Sequence, residues 1–305
     1  MDEAGAAAAA LRAGKLIHLP TETVYGLAAR ADDPEAVIGV FEAKGRPRFN
    51  PLIVHVADMA LAERIGVFDD RAKALAAAFW PGPLTLVLPV REAGMACDLA
   101  RAGLDSVALR MPSHPLARAI LRQVDFGVVA PSANRSGRPS PTTQADAFEE
   151  TGAFVAASPD GGPCAVGVES TVVSLLGAAR YLRAGAVTRD QIDALAGPLA
   201  ADAAEGHRSP GRLALHYAPD APVRINIDEP SEGAVYLSFG PTAYTGPLIP
   251  LSARGDLHEA AANLFRALRA ADRLNPPVIE IAPIPPEGIG EAINDRIRRA
   301  AGYVG

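Results

Sequence analysis

The sequence predicts an α/β protein in two parts: a mixed, twisted open sheet with helices over residues 1–197, and a smaller open-sheet α/β domain over 222–305. Three observations carry this. Short β-branched runs alternate with helical patterns through about the first 195 residues. The composition then breaks: residues 198–221 are small, polar and rich in Pro and Gly, as a linker or lid would be. Strand and helix signals resume beyond it to the end of the chain. A length of 305 residues suits two domains better than one core.

The elements follow in order. "KLIHLP" (15–20) is an apolar, strand-forming run. "DPEAVIGVFEAK" (33–44) opens with Asp33 as N-cap and Pro34 at the first helical position. Val37, Ile38, Val40 and Phe41 recur there at helical spacing, so that face belongs to a core. "PLIVHV" (51–56), "LTLVLP" (84–89), "SVALRMP" (106–112), "FGVVAPSAN" (126–134) and "VESTVVSLL" (168–176) read as strands. Helical patterns lie between them at 69–79, 114–124 and 142–150. In the second part, "PVRINI", "AVYLSF", "GPLIPL" and "PVIEIAP" read as strands, with helices over about 255–273 and 288–302. There is no internal repeat, and low complexity is confined to the alanine-rich start.

Hydrophobic residues make up 49% and charged residues 21%, which suits a soluble globular protein. The net charge of −6 argues against duplex DNA or an anionic membrane as a bulk electrostatic partner. Residues 222–305 carry eight Arg, ten Asp+Glu and no Lys, with no basic stripe or aromatic stacking platform for RNA. Cys97 and Cys164 are too few for a disulfide framework or a four-cysteine zinc site. The N-terminus lacks the basic start and Leu-rich core of a signal peptide, and no apolar run is long enough to span a bilayer. A cytoplasmic location is expected.

Several polar clusters end apolar strands, where open α/β sheets place ligands. The most pointed is "FEAKGRPRFNPLIVHV" (41–56), which concentrates Lys44, Arg46 and Arg48 in an otherwise acidic protein. Cations complementing a helix C-terminus would explain Lys44 but not Arg46 or Arg48, which lie beyond the helix. An ammonium and a planar guanidinium suit phosphate oxygens. Asn50 is a turn residue or a donor, and His55 sits in an apolar strand. "LPTETVYGLAARA" (19–31) reads by itself as a turn with Thr hydroxyls capping backbone groups. Arg110 ends a strand and, if buried, needs an anion or several acceptors. "APSANRSGRPSPT" (130–142) supplies Ser132, Asn134, Ser136, Arg138 and Ser140 on a loop. "DGGPCAVGVESTVV" (160–173) allows close backbone approach. No P-loop, dinucleotide fingerprint, serine elbow or zinc spacing is present. An anion site is indicated without a standard nucleotide motif.

Taken together, "PTETVYGL", "KGRPRFNPLIVHV", "WPGPLTLVL", "GLDSVALRMPSHP", "APSANRSGRPSPT", "DGG", "GVESTVV", "LRAGAVT" and "SPGRLALHYAP" resemble, in this order, the threonylcarbamoyl-AMP synthases. This is the YrdC-like family in its long, two-domain form. The resemblance covers the first domain and linker, and extends more weakly to the closing helix "GIGEAINDRIRRAAG". Ser106 stands where Thr is common, and Leu213 and Leu215 stand where cations or aromatics are frequent.

The resemblance implies a YrdC-like sheet and a nucleotidyltransferase that joins L-threonine, bicarbonate or CO2, and ATP into threonylcarbamoyl-AMP and pyrophosphate. The product would pass to a transferase complex that modifies the adenosine next to the anticodon of certain tRNAs. Mg²⁺ would accompany ATP, with no metal ligands assigned. Lys44 and Arg46 would be catalytic and hold the phosphates, with Asn50, Ser106, Ser132, Asn134, Ser140, Arg183 and Tyr217 completing the ATP set. Thr23, His55, Arg110, the backbone near Ala130, and Ser170 would bind threonine, Arg110 through the carboxylate. Glu22 would orient the metal or the threonine amine, and Arg48 has no role. Two other readings stand beside this one: an RNA-binding module, and a regulatory relative that binds nucleotide without turnover.

Overall fold

The computed structural model describes residues 2–46, 50–200 and 216–303. The alanine-rich start is a helix, α1 (Glu3–Arg12), capped by Asp2, whose side chain accepts from the Gly5 N–H. Alanine has the lowest cost of any residue in a helix, so this one forms without an apolar period to announce it. β1 (Leu16–Leu19) pairs antiparallel with β2 (Gly26–Arg30). β2 lies inside the stretch expected to be a turn. Its residues are buried on both faces, so they show no alternation. α2 (Pro34–Lys44) starts on Asp33 as anticipated, and Asp33 accepts from the N–H groups of Glu35 and Ala36.

β3 (Ile53–His55), α3 (Met59–Ile65), α4 (Asp70–Phe79), β4 (Leu84–Pro89), α5 (Asp98–Arg101), β5 (Ser106–Arg110) and α6 (Pro115–Leu121) follow. β6 is only Val128–Val129, shorter than the 126–134 run suggested, because Pro131 brings no N–H to a ladder. α7 (Gln144–Thr151), β7 (Val155–Ala157), β8 (Thr171–Ser174), β9 (Arg180–Arg183) and α8 (Arg189–Ala196) complete the first domain. Its nine strands lie in the order β7-β1-β2-β6-β3-β5-β4-β8-β9, with parallel and antiparallel pairs.

The register fixes what each face presents, since paired residues share a face. Ile53 is level with Ala108 and His55 with Arg110. Ala108 faces Val87, Thr85 is level with Val172, and Val172 with Arg183. His55, Arg110, Thr85 and Arg183 therefore share one face. Val54, Leu86, Leu109 and Val173 point to the other, into a core closed by α2, α3, α4 and α5. The first face is covered only in part. α1 and α6 pack Ala7, Leu11, Ile120 and Leu121 onto Ile17, Leu19, Ala28 and Val128, over β1, β2 and β6. Over the remaining strands that face is an open trough.

The second domain holds four parallel strands, β10 (Val223–Ile225), β11 (Val235–Phe239), β12 (Leu248–Ser252) and β13 (Ile279–Ile281), in the order β10-β13-β11-β12. α9 (Leu257–Asp272) and α10 (Gly290–Ala300) bury Leu264, Phe265, Leu268, Ile293 and Ile297 in the core that includes Leu237, Ile279 and Ile281. The expected open-sheet α/β domain is therefore present. Most of the expected linker, residues 201–215 with Leu213 and Leu215, lies outside the described residues, as does Arg48. No described helix is long and apolar enough to cross a membrane.

The two domains are joined by buried charge and a close backbone contact. Arg269 on α9 donates to Glu150 at 2.9 Å, and Arg296 on α10 to Glu169 at 3.1 Å. Gly167, at φ +75°, lies against α9. A Cβ there would stand 2.4 Å from the Ala261 carbonyl oxygen. Gly167→Ala combines positive-φ strain with a backbone clash and is expected to lower stability by ~2 kcal/mol or more, read as a lower melting temperature. Acid should also loosen the interface. Burial would raise the Glu150 and Glu169 carboxyls, but Arg135 and Arg269 hold the first, and Arg296 and Arg183 the second, below the ordinary 4.5. Their contribution is full above about pH 4.5 and is lost as pH falls through the lowered folded values. Melting temperature followed downward from neutral pH should hold to that point and then drop, and drop less in Glu150→Gln.

Candidate functional site

The trough becomes a cleft where chain ends and loops rise around it. Its walls are Thr23 and Val24 after β1, Arg46 after α2, Pro51, Leu52, Ile53 and His55 along and before β3, and Arg110 on β5. Ala130 to Ser132, Glu169, Ser170, Arg183, His216 and Tyr217 close it, around roughly 540 Å³ of empty space open to solvent. Thr23, Arg46, His55, Arg110, Ala130, Ser132, Ser170, Arg183 and Tyr217 were all expected from the sequence, and the fold brings them together here.

Arg46 is aimed by the end of α2. Gly45 takes φ +58° as the helix C-cap, and the Arg46 N–H bonds back to the Phe41 carbonyl. The side chain then enters the cleft. Its Nε and Nη2 are buried and have no hydrogen-bond partner among the described residues. Burial pushes its guanidinium down to about 10, with the charge of Arg183 adding to the shift. Lys44, two residues earlier at the last helical position, is placed differently from the expectation. It does not line the cleft. It is 3% exposed, and its Nζ donates to the carbonyls of Ser132 and Asn134. Burial, then the neighbouring Arg46 charge, holds its pKa well below the ordinary value. Lys44 thus fastens the loop after β6 to the end of α2, and Ser136 reinforces this by donating its N–H to the Lys44 carbonyl.

At the β1 and β5 end, Arg110 is already engaged. It donates to Glu22 at 2.6 Å, to Thr23 Oγ1 at 2.8 Å and to the Gly82 carbonyl at 3.2 Å. Glu22 also accepts from the Ser113 N–H, so this carboxylate is first of all the partner of Arg110. The buried Arg110 finds the several acceptors its position demands, and two of its five N–H groups remain for a ligand. His55 beside it is held neutral, pushed down to about 3 by burial and then by the Arg110 charge, and its Nδ1 has no partner among the described residues. Ser170 shares a 2.8 Å hydrogen bond with Thr85 and accepts from Arg183 Nη2 at 3.0 Å.

At the other end, Arg183 reaches the Ser170 carbonyl through Nε. Tyr217 is 2% exposed, tilted against Phe265 of α9 at 5.1 Å, and Ala218 donates its N–H to the Gly137 carbonyl. Three expected residues stand behind the wall rather than in it. Asn134 donates to the Arg135 and Arg138 carbonyls, Ser140 donates to Glu169, and Asn50 has a buried Oδ1 without a described partner. Ser106 does not line the cleft, although it shares a sheet face with Arg110 four residues away.

Glu169, His216 and Arg296 were not singled out in advance. His216 is pushed down to about 4 by burial and lies edge-on to Tyr217. The signal for Arg296 was present: Ile289, Ile293, Arg296, Ile297 and Ala300 fall on one helical face, where a cation among isoleucines needs a partner. No described group of three or more His, Cys, Asp or Glu side chains could hold a metal ion. With Glu22 on Arg110 and Glu169 on Arg296, the described residues do not form a resident metal site.

Comparison with known proteins agrees with this architecture. A family model described as "Telomere recombination" matches residues 9–185, and one described as "Threonylcarbamoyl-AMP synthase, C-terminal domain" matches residues 187–302. The threonylcarbamoyl-AMP synthase of Bacillus subtilis is 39% identical, over 97% of this chain and 92% of its own. That of Pyrococcus abyssi is 38% identical, over 97% and 93%. The crystal structure of P. abyssi Sua5 complexed with L-threonine superposes with a TM-score of 0.89 at 37% identity, covering 97% of this chain and 93% of that one. The chain therefore belongs to the two-domain threonylcarbamoyl-AMP synthase family with a YrdC-like first domain.

Proposed function

We propose that this protein, an enzyme of the nucleotidyltransferase type, condenses L-threonine, bicarbonate or CO2, and ATP into threonylcarbamoyl-AMP and pyrophosphate. The observation that carries the reading is Arg46: a buried guanidinium with two nitrogens unpartnered among the described residues, in a cleft whose other walls are mainly neutral. Such a group is held ready for an anion. The L-threonine bound in the P. abyssi relative supports the amino-acid half of the reading.

In this scheme the threonine carboxylate takes the free N–H groups of Arg110. Thr23, neutral His55, Ser170 and the backbone near Ala130 surround the rest of the molecule. The amine gives up a proton and bonds to CO2, forming a carbamate. A carbamate oxygen then attacks the α-phosphorus in line, and the bond from that phosphorus to the α,β-bridging oxygen breaks, so that the β- and γ-phosphates leave as pyrophosphate. Arg46 and Arg183 stabilise the charge that develops on phosphate oxygens, which is how phosphoryl-type transfers gain most of their rate. Lys44 contributes by fixing the loop that carries Ser132. Mg²⁺ enters as the metal complex of ATP, held chiefly by phosphate and water. Tyr217 and His216 close over the cleft and keep water from the carboxylated intermediate. The product, a reactive acyl adenylate, is consumed by a transferase acting on a tRNA adenosine.

Pyrophosphate release from Mg·ATP in bicarbonate should depend on added L-threonine and yield an adenylate that hydrolyses on standing. Release without threonine dependence, or none at all, would count against the reading. Arg46→Ala should lower turnover about 10²- to 10³-fold, the scale of losing one transition-state donor. Its melting temperature should hold or rise, because the side chain it removes is a buried charge with no described partner. Full activity in this variant, or an unfolded protein, contradicts the phosphate role.

A further inference from the structure

Two carboxylates stand at the cleft, and each is matched by its own arginine. Glu22 belongs with Arg110, Thr23 and His55, at the threonine end. Glu169, the one carboxylate among the described residues lining the wall, keeps different company. It accepts from Ser140, it is drawn down by Arg183, and its charge acts on Tyr217 and His216. These are residues of the proposed nucleotide end. An unpaired carboxylate there would repel a triphosphate. Its partner comes from the other domain. Arg296, fully buried on α10, donates from Nε to Glu169 at 3.1 Å and from Nη1 to the Ala184 carbonyl at 2.7 Å. Its guanidinium also lies 5.8 Å from the centroid of the Tyr217 ring, within cation–π reach. Asp295, its neighbour in sequence, shares the charge at 3.0 Å.

We propose that the C-terminal domain completes the nucleotide end of the cleft through Arg296, a positioning residue that neutralises Glu169 and braces Tyr217, making this end receptive to ATP. The inference rests on ATP being the substrate. It assigns the second domain a part in substrate binding that a domain merely tethered by a linker would not have. The carboxylate, in turn, fastens that domain to the segment that carries Ser170 and leads into β8.

The test is binding of ATP and of L-threonine, each titrated calorimetrically into the full chain, in wild type, Arg296→Met, Glu169→Gln and the double variant. Arg296→Met leaves Glu169 buried without its main partner, so ATP affinity should fall about tenfold or more while threonine affinity changes little. Adding Glu169→Gln removes the charge that needed neutralising and should restore ATP affinity to within about threefold of wild type. Glu169→Gln alone should bind ATP at least as tightly as wild type. Equal loss of both ligands in Arg296→Met, without rescue, would mark a merely structural residue and overturn the inference. Unchanged ATP affinity in Arg296→Met would do the same, as would weakened ATP binding in Glu169→Gln alone. If Arg296→Met does not fold, the double variant decides: folded and binding ATP supports the inference, folded without ATP binding refutes it. Failure of the wild type itself to bind ATP would overturn the proposed function, and this inference with it.

Discussion

A guanidinium taken out of water without a partner raises the free energy of the folded state, and the cleft is organised around tolerating one. Arg46 is delivered by a helix end whose glycine cap leaves no freedom in direction, and the neighbouring lysine ties that end to the loop opposite. The cost shows in the depressed pKa of Arg46 and of Lys44 beside it. Everything that keeps these cations from swinging to solvent or collapsing onto a carboxylate preserves the site. The two carboxylates whose charge reaches Lys44, Glu150 and Glu169, are each held by another arginine.

The open sheet, the capped helix 34–44, the strands that end at His55 and Arg110, and the C-terminal open-sheet domain were legible in the sequence because each carries its own local signal: an N-cap, a β-branched run or a helical period. What escaped notice lacks such a signal. β2 is buried on both faces and does not alternate, and the buried face of α1 is alanine apart from Leu11. The single-turn and short elements, such as α5, β7 and β9, are set by their place in the sheet and by packing rather than by propensity. At the site, residue identity was legible and partnership was not. Nothing in "KGRP" says that Lys44 will turn back to two carbonyls while Arg46 goes forward. Nothing in "PTETVYGL" says that Glu22 will meet an arginine some ninety residues away. Those pairings are properties of the sheet order, which crosses the sequence repeatedly.

The division of charge between the domains gives the interface an unusual character. Arg269 and Arg296 both leave their own domain to satisfy glutamates of the other, and both are nearly or wholly buried. Buried pairs of this kind contribute little net stability compared with apolar contacts, but breaking one leaves a charge stranded. The interface is therefore specific rather than merely adhesive: it accepts one docking of the two sheets and penalises its neighbours.

The uncovered half of the sheet also has a consequence of scale. Side chains reach that face only at alternate residues, so groups along one strand can be spaced only in steps of about 6.6–6.8 Å. Ser106 and Arg110 are two such steps apart, and β3 runs beside them in fixed register. The floor of the cleft is in effect a graduated rule. A substrate longer by one methylene cannot be met by sliding a strand, because the smallest slide turns every side chain to the opposite face. Adjustment to a different ligand has to come from the loops and from the second domain, while the floor stays the same.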